Sequence, residues 1–212
     1  MKRNQSGFTL IEIAIVLVII GLLLGGVLKG QELINSAKVK NLATDFKNVP
    51  VFIYGYQDKF KALPGDDLLA STHVATTGAT IINGNGNGVI DGNWNAANGE
   101  SFNFWQHVRL AGLAPGPTDT AAADYLPLNA VGGKIGVTNA ANTAIATLKG
   151  SYIICSDAIA GKFAKQLDTT LDDGNTATGS LQVTAVGTAT GGAATLTANI
   201  VDDTTYLVCM GV

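Results

Sequence analysis

From Phe8 to Leu28 the chain carries a single charge, Glu12, in an otherwise apolar run. A short basic leader, Met1–Gly7 with Lys2 and Arg3, comes directly before it. As a helix rising about 1.5 Å per residue, this run spans roughly 31 Å, against a hydrocarbon core of about 30 Å. The sequence therefore predicts a membrane-crossing helix. The leading Lys2 and Arg3 place the N-terminus in the cytoplasm and the rest of the chain outside. A carboxylate inside a membrane costs roughly 2.5–3.5 kcal/mol on insertion scales, which marks Glu12 as a functional residue. An ordinary signal anchor is the plain alternative. A secretory signal peptide fits poorly, because the apolar run is too long and cleavage would have to follow it.

The segment Gly7-Phe8-Thr9-Leu10-Ile11-Glu12 resembles the class III signal of type IV pilins and the related pseudopilins. That resemblance implies cleavage after Gly7 by a prepilin peptidase and N-methylation of the new terminus at Phe8. It also implies that Glu12 is the assembly acid, which pairs with the terminal amine of a neighbouring subunit. The partners implied are identical subunits in a homopolymer, the prepilin peptidase, and a pilus or secretion assembly machinery. The precursor is expected in the inner membrane and the product in an extracellular filament. A type II secretion pseudopilin is the alternative within the family, and a single-pass anchored extracellular binding domain is the alternative outside it. An anchor would need neither processing at Gly7 nor Glu12.

Composition suits an exported filament subunit. Of 212 residues only 14% are charged, against about 25% in typical soluble domains. Charge is also divided. Residues 1–61 hold Lys2, Arg3, Lys29, Lys38, Lys40, Lys47, Lys59 and Lys61 against Glu12, Glu32, Asp45 and Asp58. After Lys165 there is no Lys or Arg, while Asp168, Asp172, Asp173, Asp202 and Asp203 remain. An acidic head argues against strong nonspecific nucleic-acid binding by one subunit. The two cysteines, Cys155 and Cys209, lie far from the apolar run. An even pair in an exported domain reads as a disulfide, with two buried thiols as the alternative.

Past the apolar run, Leu33, Ile34, Ala37, Leu42, Ala43, Phe46, Val49, Ile53, Tyr56 and Phe60 recur at helical spacing. One helix is predicted from about Phe8 to about Lys59. Gly21, Gly25, Gly26 and Gly30 weaken it, and Pro50 removes one backbone hydrogen bond and should bend it. Leu63-Pro64-Gly65-Asp66 ends it, a turn similar to one found in a branch of pilin-like proteins. The chain then divides into a leader (1–7), a membrane or filament-core helix (8–28), its amphipathic continuation (29–61) and a globular head (62–212).

In the head, a helix is predicted within Asn98–Leu113, begun near Ser101 as N-cap. Ser151–Cys155 reads as a buried strand, and Ser156–Leu171 as a second helix capped by Ser156 and ended at Gly174. Ser180–Val186, Ala194–Val201 and Thr204–Met210 read as strands, with a hairpin across the Gly/Ala/Thr stretch between the first two. The predicted class is α+β: a long N-terminal helix, its second half packed on a head with an antiparallel sheet and short extra helices.

One loop has the spacing of a calcium loop. Asn83, Asn85, Asn87 and Asp91 occupy positions one, three, five and nine of an EF-hand-like pattern, with Gly88 at six. Position twelve is Trp94, so Glu100 must substitute from further on. With mostly neutral ligands the affinity is expected at about 10⁻⁴–10⁻³ M at best. A Gly/Asn turn tolerant of positive φ is the plainer reading. Asp172-Asp173-Gly174-Asn175 is a weaker candidate. No catalytic constellation is evident: His73 and His107 have no Cys or Ser partner motif, and no phosphate-binding loop follows a strand. The aromatics Phe102, Phe104, Trp94 and Trp105 read as core.

Overall fold

The computed structural model describes residues 9–74 and 80–212. The leader and the Gly7/Phe8 junction lie outside the described residues. Helix α1 runs from Leu10 to Phe60 and passes through Pro50 and all four early glycines. The chain forms two compact units, Met1–Ala37 and Lys38–Val212.

In the first unit the described residues are α1 alone, and every residue from Thr9 to Lys29 is exposed. In the second unit α1 buries Val39, Leu42, Ala43, Phe46, Val49, Ile53 and Tyr56. Apart from the adjacent Leu42 and Ala43, these recur at steps of three and four residues, which keeps one stripe on one face. The predicted stripe therefore holds from Leu42 onward. Leu33 and Ile34 are exposed, and Val39 replaces them as its first buried member.

The helix ends because Lys61 turns into positive φ (56°) and the Leu63-Pro64-Gly65-Asp66 turn follows. Gly65 has φ of 92°, and a Cβ there would stand 2.5 Å from the Glu100 carbonyl oxygen. Only glycine fits this crossing. A short turn, α2, covers Ala70–His73. Helix α3, Glu100–Leu110, starts two residues earlier than predicted, with Gly99 rather than Ser101 in the cap position. Ser101 lies inside the helix, and its hydroxyl donates to the Asn93 carbonyl at 2.9 Å.

Four strands form one sheet in the order β1-β2-β4-β3. They are β1 (Ile135–Thr138), β2 (Ile153–Ala160), β3 (Leu181–Ala185) and β4 (Thr205–Gly211), and every neighbouring pair is antiparallel. β1 was not evident from sequence. β2 also runs further than predicted: the expected helix cap, Ser156, sits in the strand opposite Val208. It is buried and accepts a hydrogen bond from Asn129 Nδ2 at 2.8 Å. A bulge between Ser156 and Ile159, with Ala158 at φ 56°, re-aims the strand. Pairing with β4 then resumes to Ala160–Thr205. Ladder hydrogen bonds outcompeted the local capping signal, so helix α4 begins only at Gly161 and ends at Leu171. Gly161 passes so close to the Val201 carbonyl that a Cβ would stand 2.2 Å from it.

The predicted strand Ala194–Val201 is a correction. That stretch holds a 3₁₀ turn, Thr197–Asn199, and one ladder-like bond from Thr195 N–H to the Val183 carbonyl at 2.7 Å. β3 instead pairs with β4 across the long 186–204 connection. Both faces of the sheet are covered. Ile154, Val208 and Val183 join the large core that includes the α1 stripe, Phe104, Val108 and Leu167. Ile153, Cys155, Leu207 and Cys209 join a smaller core with Trp94, Ala144, Ile145 and Leu148. A strand buried on both sides carries no polar alternation, which is why Ile153-Ile154-Cys155 reads as a continuous apolar run. The fold is α+β, with a long N-terminal helix, a four-stranded antiparallel sheet and short helices.

Candidate functional site

The start of α1 is built by a reciprocal pair. Thr9 donates to the Glu12 carboxylate from its backbone N–H (2.8 Å) and its hydroxyl (2.7 Å). Glu12 N–H returns a longer bond to the Thr9 hydroxyl oxygen at 3.4 Å. This is a capping box, in which threonine and glutamate three residues apart satisfy donors that the helix leaves free. It also sets a carboxylate at the positive end of the helix dipole. The Thr9-x-x-Glu12 spacing is a sequence-level signal for this cap. Gly7 and Phe8 lie outside the described residues.

Beyond the cap the helix is apolar all round, and every residue to Lys29 is exposed among the described residues. Leu10 is 92% exposed and Leu22 is 74% exposed. It is long and apolar enough to cross a membrane. A helix apolar on every side needs either lipid or other helices around it. A Cβ added at Gly21, Gly25, Gly26 or Gly30 would meet nothing within 4 Å.

In the second unit, Cys155 and Cys209 form a disulfide. They are directly paired residues of β2 and β4 and lie in the smaller core. Closing a loop with a sequence separation of 54 stabilises a fold by about 4 kcal/mol on the chain-entropy account.

The Asn83–Asp91 loop and Glu100 do come together, but as a self-satisfied turn. Glu100 accepts N–H bonds from Asn85 and Asp91, both at 2.9 Å. Asp66, one residue past the Gly65 crossing, accepts them from Asn87 (3.1 Å) and Gly88 (2.8 Å). Asp91 takes amide donors from Asn85 (3.1 Å), Asn87 (2.9 Å) and Asn139 (3.1 Å). The side-chain oxygens of Asn83, Asn85 and Asn87 accept from the N–H groups of Ser71, Asn87 and Val89. Each asparagine oxygen is thus turned to the backbone, and its amide hydrogens to Asp91 where they reach it. Burial raises the Glu100 carboxyl above its ordinary range against the Asp91 and Asn85 N–H groups, and the Asp66 and Asp91 charges add to the rise.

Both histidines have partners the sequence did not announce. His107 is fully buried. Gly65 N–H donates to its Nδ1 at 2.9 Å, so the proton sits on Nε2, which meets the Ile82 carbonyl at 2.9 Å. Burial holds its pKa below the usual histidine value. His73 Nδ1 meets Asp67 Oδ2 at 2.7 Å, and Tyr56 donates its hydroxyl to the same oxygen at 2.7 Å. Burial works to raise Asp67, but His73, Tyr56 and the Leu69 N–H hold it below the usual carboxylate range. This group borders an open cavity of about 630 Å³ lined also by Phe60, Leu68 and Tyr152. Among the described residues lining it there is no serine, threonine or cysteine.

A second acidic group lies at the far end of α4. Asp168, Asp172 and Asp173 each place a carboxylate oxygen within 4.8 Å of the others.

Residues 2–28 match the family model described as the prokaryotic N-terminal methylation motif. No curated protein and no solved structure matches the chain. The match takes in the basic leader, the Gly7/Phe8 junction, the Thr9–Glu12 cap and the apolar turns that follow it. At its N-terminus the chain thus carries a methylation motif of the kind that marks prepilins.

Proposed function

We propose that this chain is the structural subunit of an extracellular type IV pilus-like filament. One observation carries the reading: the methylation motif leads directly into a helix on which every residue from Thr9 to Lys29 is exposed. In the precursor, lipid covers that surface. After a prepilin peptidase cuts at Gly7, the same surface is covered by the equivalent helices of identical subunits. Lipid is as apolar as a neighbouring helix, so the exchange gains little by itself. Assembly therefore calls for an energy-coupled pilus or secretion machinery at the inner membrane.

Glu12 gives the exchange its register. In the single chain its carboxylate is held by Thr9. In the filament it meets the methylated amine of Phe8 on an adjacent subunit. A buried charge pair of this kind serves registry better than stability.

The test is the N-terminus and the assembled state of the product. The mature chain begins at methyl-Phe8 by intact mass. Gly7→Leu retains the leader and gives no sheared filaments. Filaments at normal yield from that variant overturn the reading. A processed chain that stays in the cell envelope assigns it to a secretion pseudopilus, and an unprocessed wild-type chain makes it an anchored domain.

A further inference from the structure

The far end of α4 gathers three carboxylates. Asp168 lies in the last turn of α4, and Asp172 and Asp173 follow directly. A helix C-terminus already carries partial negative charge, so basic residues are the favourable choice there. The last turn holds none, and the chain has no Lys or Arg after Lys165. The charges that act on Asp168 are Asp173 and Asp172, both of its own sign.

Burial sharpens the problem. Asp168 is 0% exposed. Its Oδ1 accepts the Gly174 N–H at 3.2 Å, while its Oδ2 is buried with no partner. The other two acids are held in place by the loop. Asp172 Oδ2 accepts the Leu181 N–H at 2.8 Å. Asp173 takes the Asn175 N–H at 2.8 Å and the Thr178 hydroxyl at 3.1 Å. These bonds fix the carboxylates within 4.8 Å of one another without satisfying the buried oxygen of Asp168.

We propose that Asp168, Asp172 and Asp173 form a binding site for a hard divalent cation, calcium above all, that fastens the end of α4 to the start of β3. Three carboxylates with no nitrogen or sulfur donor favour oxygen-seeking ions over zinc or copper. The ion supplies the missing partner of Asp168 Oδ2 and offsets the like charges. Three side chains are few for an ion that takes six to eight oxygens, so water completes the shell. The Kd is accordingly set at about 0.1–1 mM, in the range of extracellular calcium modules.

The contrast with the Asn83–Asp91 loop is direct. There the carboxylates already receive N–H donors on both oxygens: Glu100 from Asn85 and Asp91, Asp66 from Asn87 and Gly88. At Asp168 one oxygen has none.

The experiment uses the full chain in detergent, with calcium or a chelator, and follows binding by calorimetry and unfolding by near-UV circular dichroism. In 10 mM calcium the unfolding equilibrium of the wild type moves toward the folded state by about tenfold to a hundredfold. Asp173→Asn, a change at an exposed side chain, weakens calcium binding at least fivefold. Asp168→Asn removes the buried charge, so it unfolds less readily than wild type in chelator and no longer responds to calcium. Asp91→Asn keeps the full response. Equal wild-type stability in calcium and chelator, with no binding heat up to 10 mM, overturns the proposal. So does a response that survives Asp173→Asn and Asp168→Asn but is lost in Asp91→Asn, which returns the ion to the other loop.

Discussion

Between Thr9 and Lys29 every residue is exposed; between Val39 and Tyr56, α1 buries seven residues along one face. The difference lies in the side chains. The first stretch is apolar on all faces, so no single neighbour could cover it. The second alternates Leu42, Phe46, Val49 and Ile53 with Lys40, Thr44, Lys47 and Asn48, so one neighbour covers it fully. An all-round apolar helix specifies an environment, and a striped helix specifies a contact. The two stretches should therefore fail differently when altered.

The largest effect is expected at the charged start of the first stretch. Glu12→Val removes the carboxylate that Thr9 holds. The variant should still reach the membrane fraction at wild-type level or above, because a costly intramembrane charge is gone. It should give no sheared filaments, or enter them only alongside wild type. Filament yield equal to wild type would make Glu12 a passenger and leave the apolar surface alone to set the register.

The comparison sharpens with truncations in each stretch. Phe46→Ala, deep in the large core, should cost about 3–5 kcal/mol of unfolding free energy. Leu17→Ala, at a position 64% exposed, should leave unfolding of the second unit within about 0.5 kcal/mol of wild type and alter only filament yield. Denaturant titration of both variants in the same detergent decides it. Equal losses would mean that the first stretch has a partner inside the chain.

What could be read from the residues follows the same division. α1, the stripe from Leu42, the paired cysteines and β4 were legible because periodicity or residue type sets them locally. Ser156 and Ser101 misled because each is a good cap in isolation. Pairing of β2 with β4 claimed Ser156, and the Gly65 crossing with Glu100 fixed the start of α3. The Asn83–Asp91 pattern has the spacing of a calcium loop, but the partners that hold its side chains and backbone, Asp66, Asn139 and Glu100, come from outside that stretch and were not legible in it. Asp168 looked like an ordinary helix residue, since nothing in its neighbourhood of sequence announces full burial. The Thr9–Glu12 box was legible in spacing, and the apolar run beside it drew the reading to the charge alone.

Titration separates the two stretches again, because the second unit holds buried and half-buried groups that resist charging. The folded state holds His107 below its unfolded pKa of about 6.5, so the unfolded chain binds more protons as pH drops through that value. The His107 contribution is therefore present above about pH 6.5 and lost on acidification. Asp45 runs the other way. Burial pushes its carboxyl up to about 6, so its contribution is present at low pH and lost as pH rises through about 6. Between pH 7 and 5 the two oppose each other. His107→Gln should flatten the acid-side loss of stability, and Asp45→Asn should steepen it. Identical profiles for both variants and wild type would remove these two groups from the pH dependence.

The smallest effect on folding, and the finest test of the comparison, is expected at Gly25. A Cβ added there meets nothing within 4 Å, and glycine lies about 1 kcal/mol below alanine in helix propensity. Gly25→Ala should make the first stretch a firmer helix and leave unfolding of the second unit where it is. If lipid were the only environment this stretch ever meets, an added methyl would be neutral or mildly favourable throughout. If helices of identical subunits replace lipid, small residues let backbones approach closely, and a methyl at the approach holds them apart. The expected result is therefore a split: equal membrane-fraction level and equal unfolding, with reduced filament yield or filaments that shear more easily. An equal yield of equally robust filaments would place Gly25 away from any helix–helix approach and confine the need for register to Glu12.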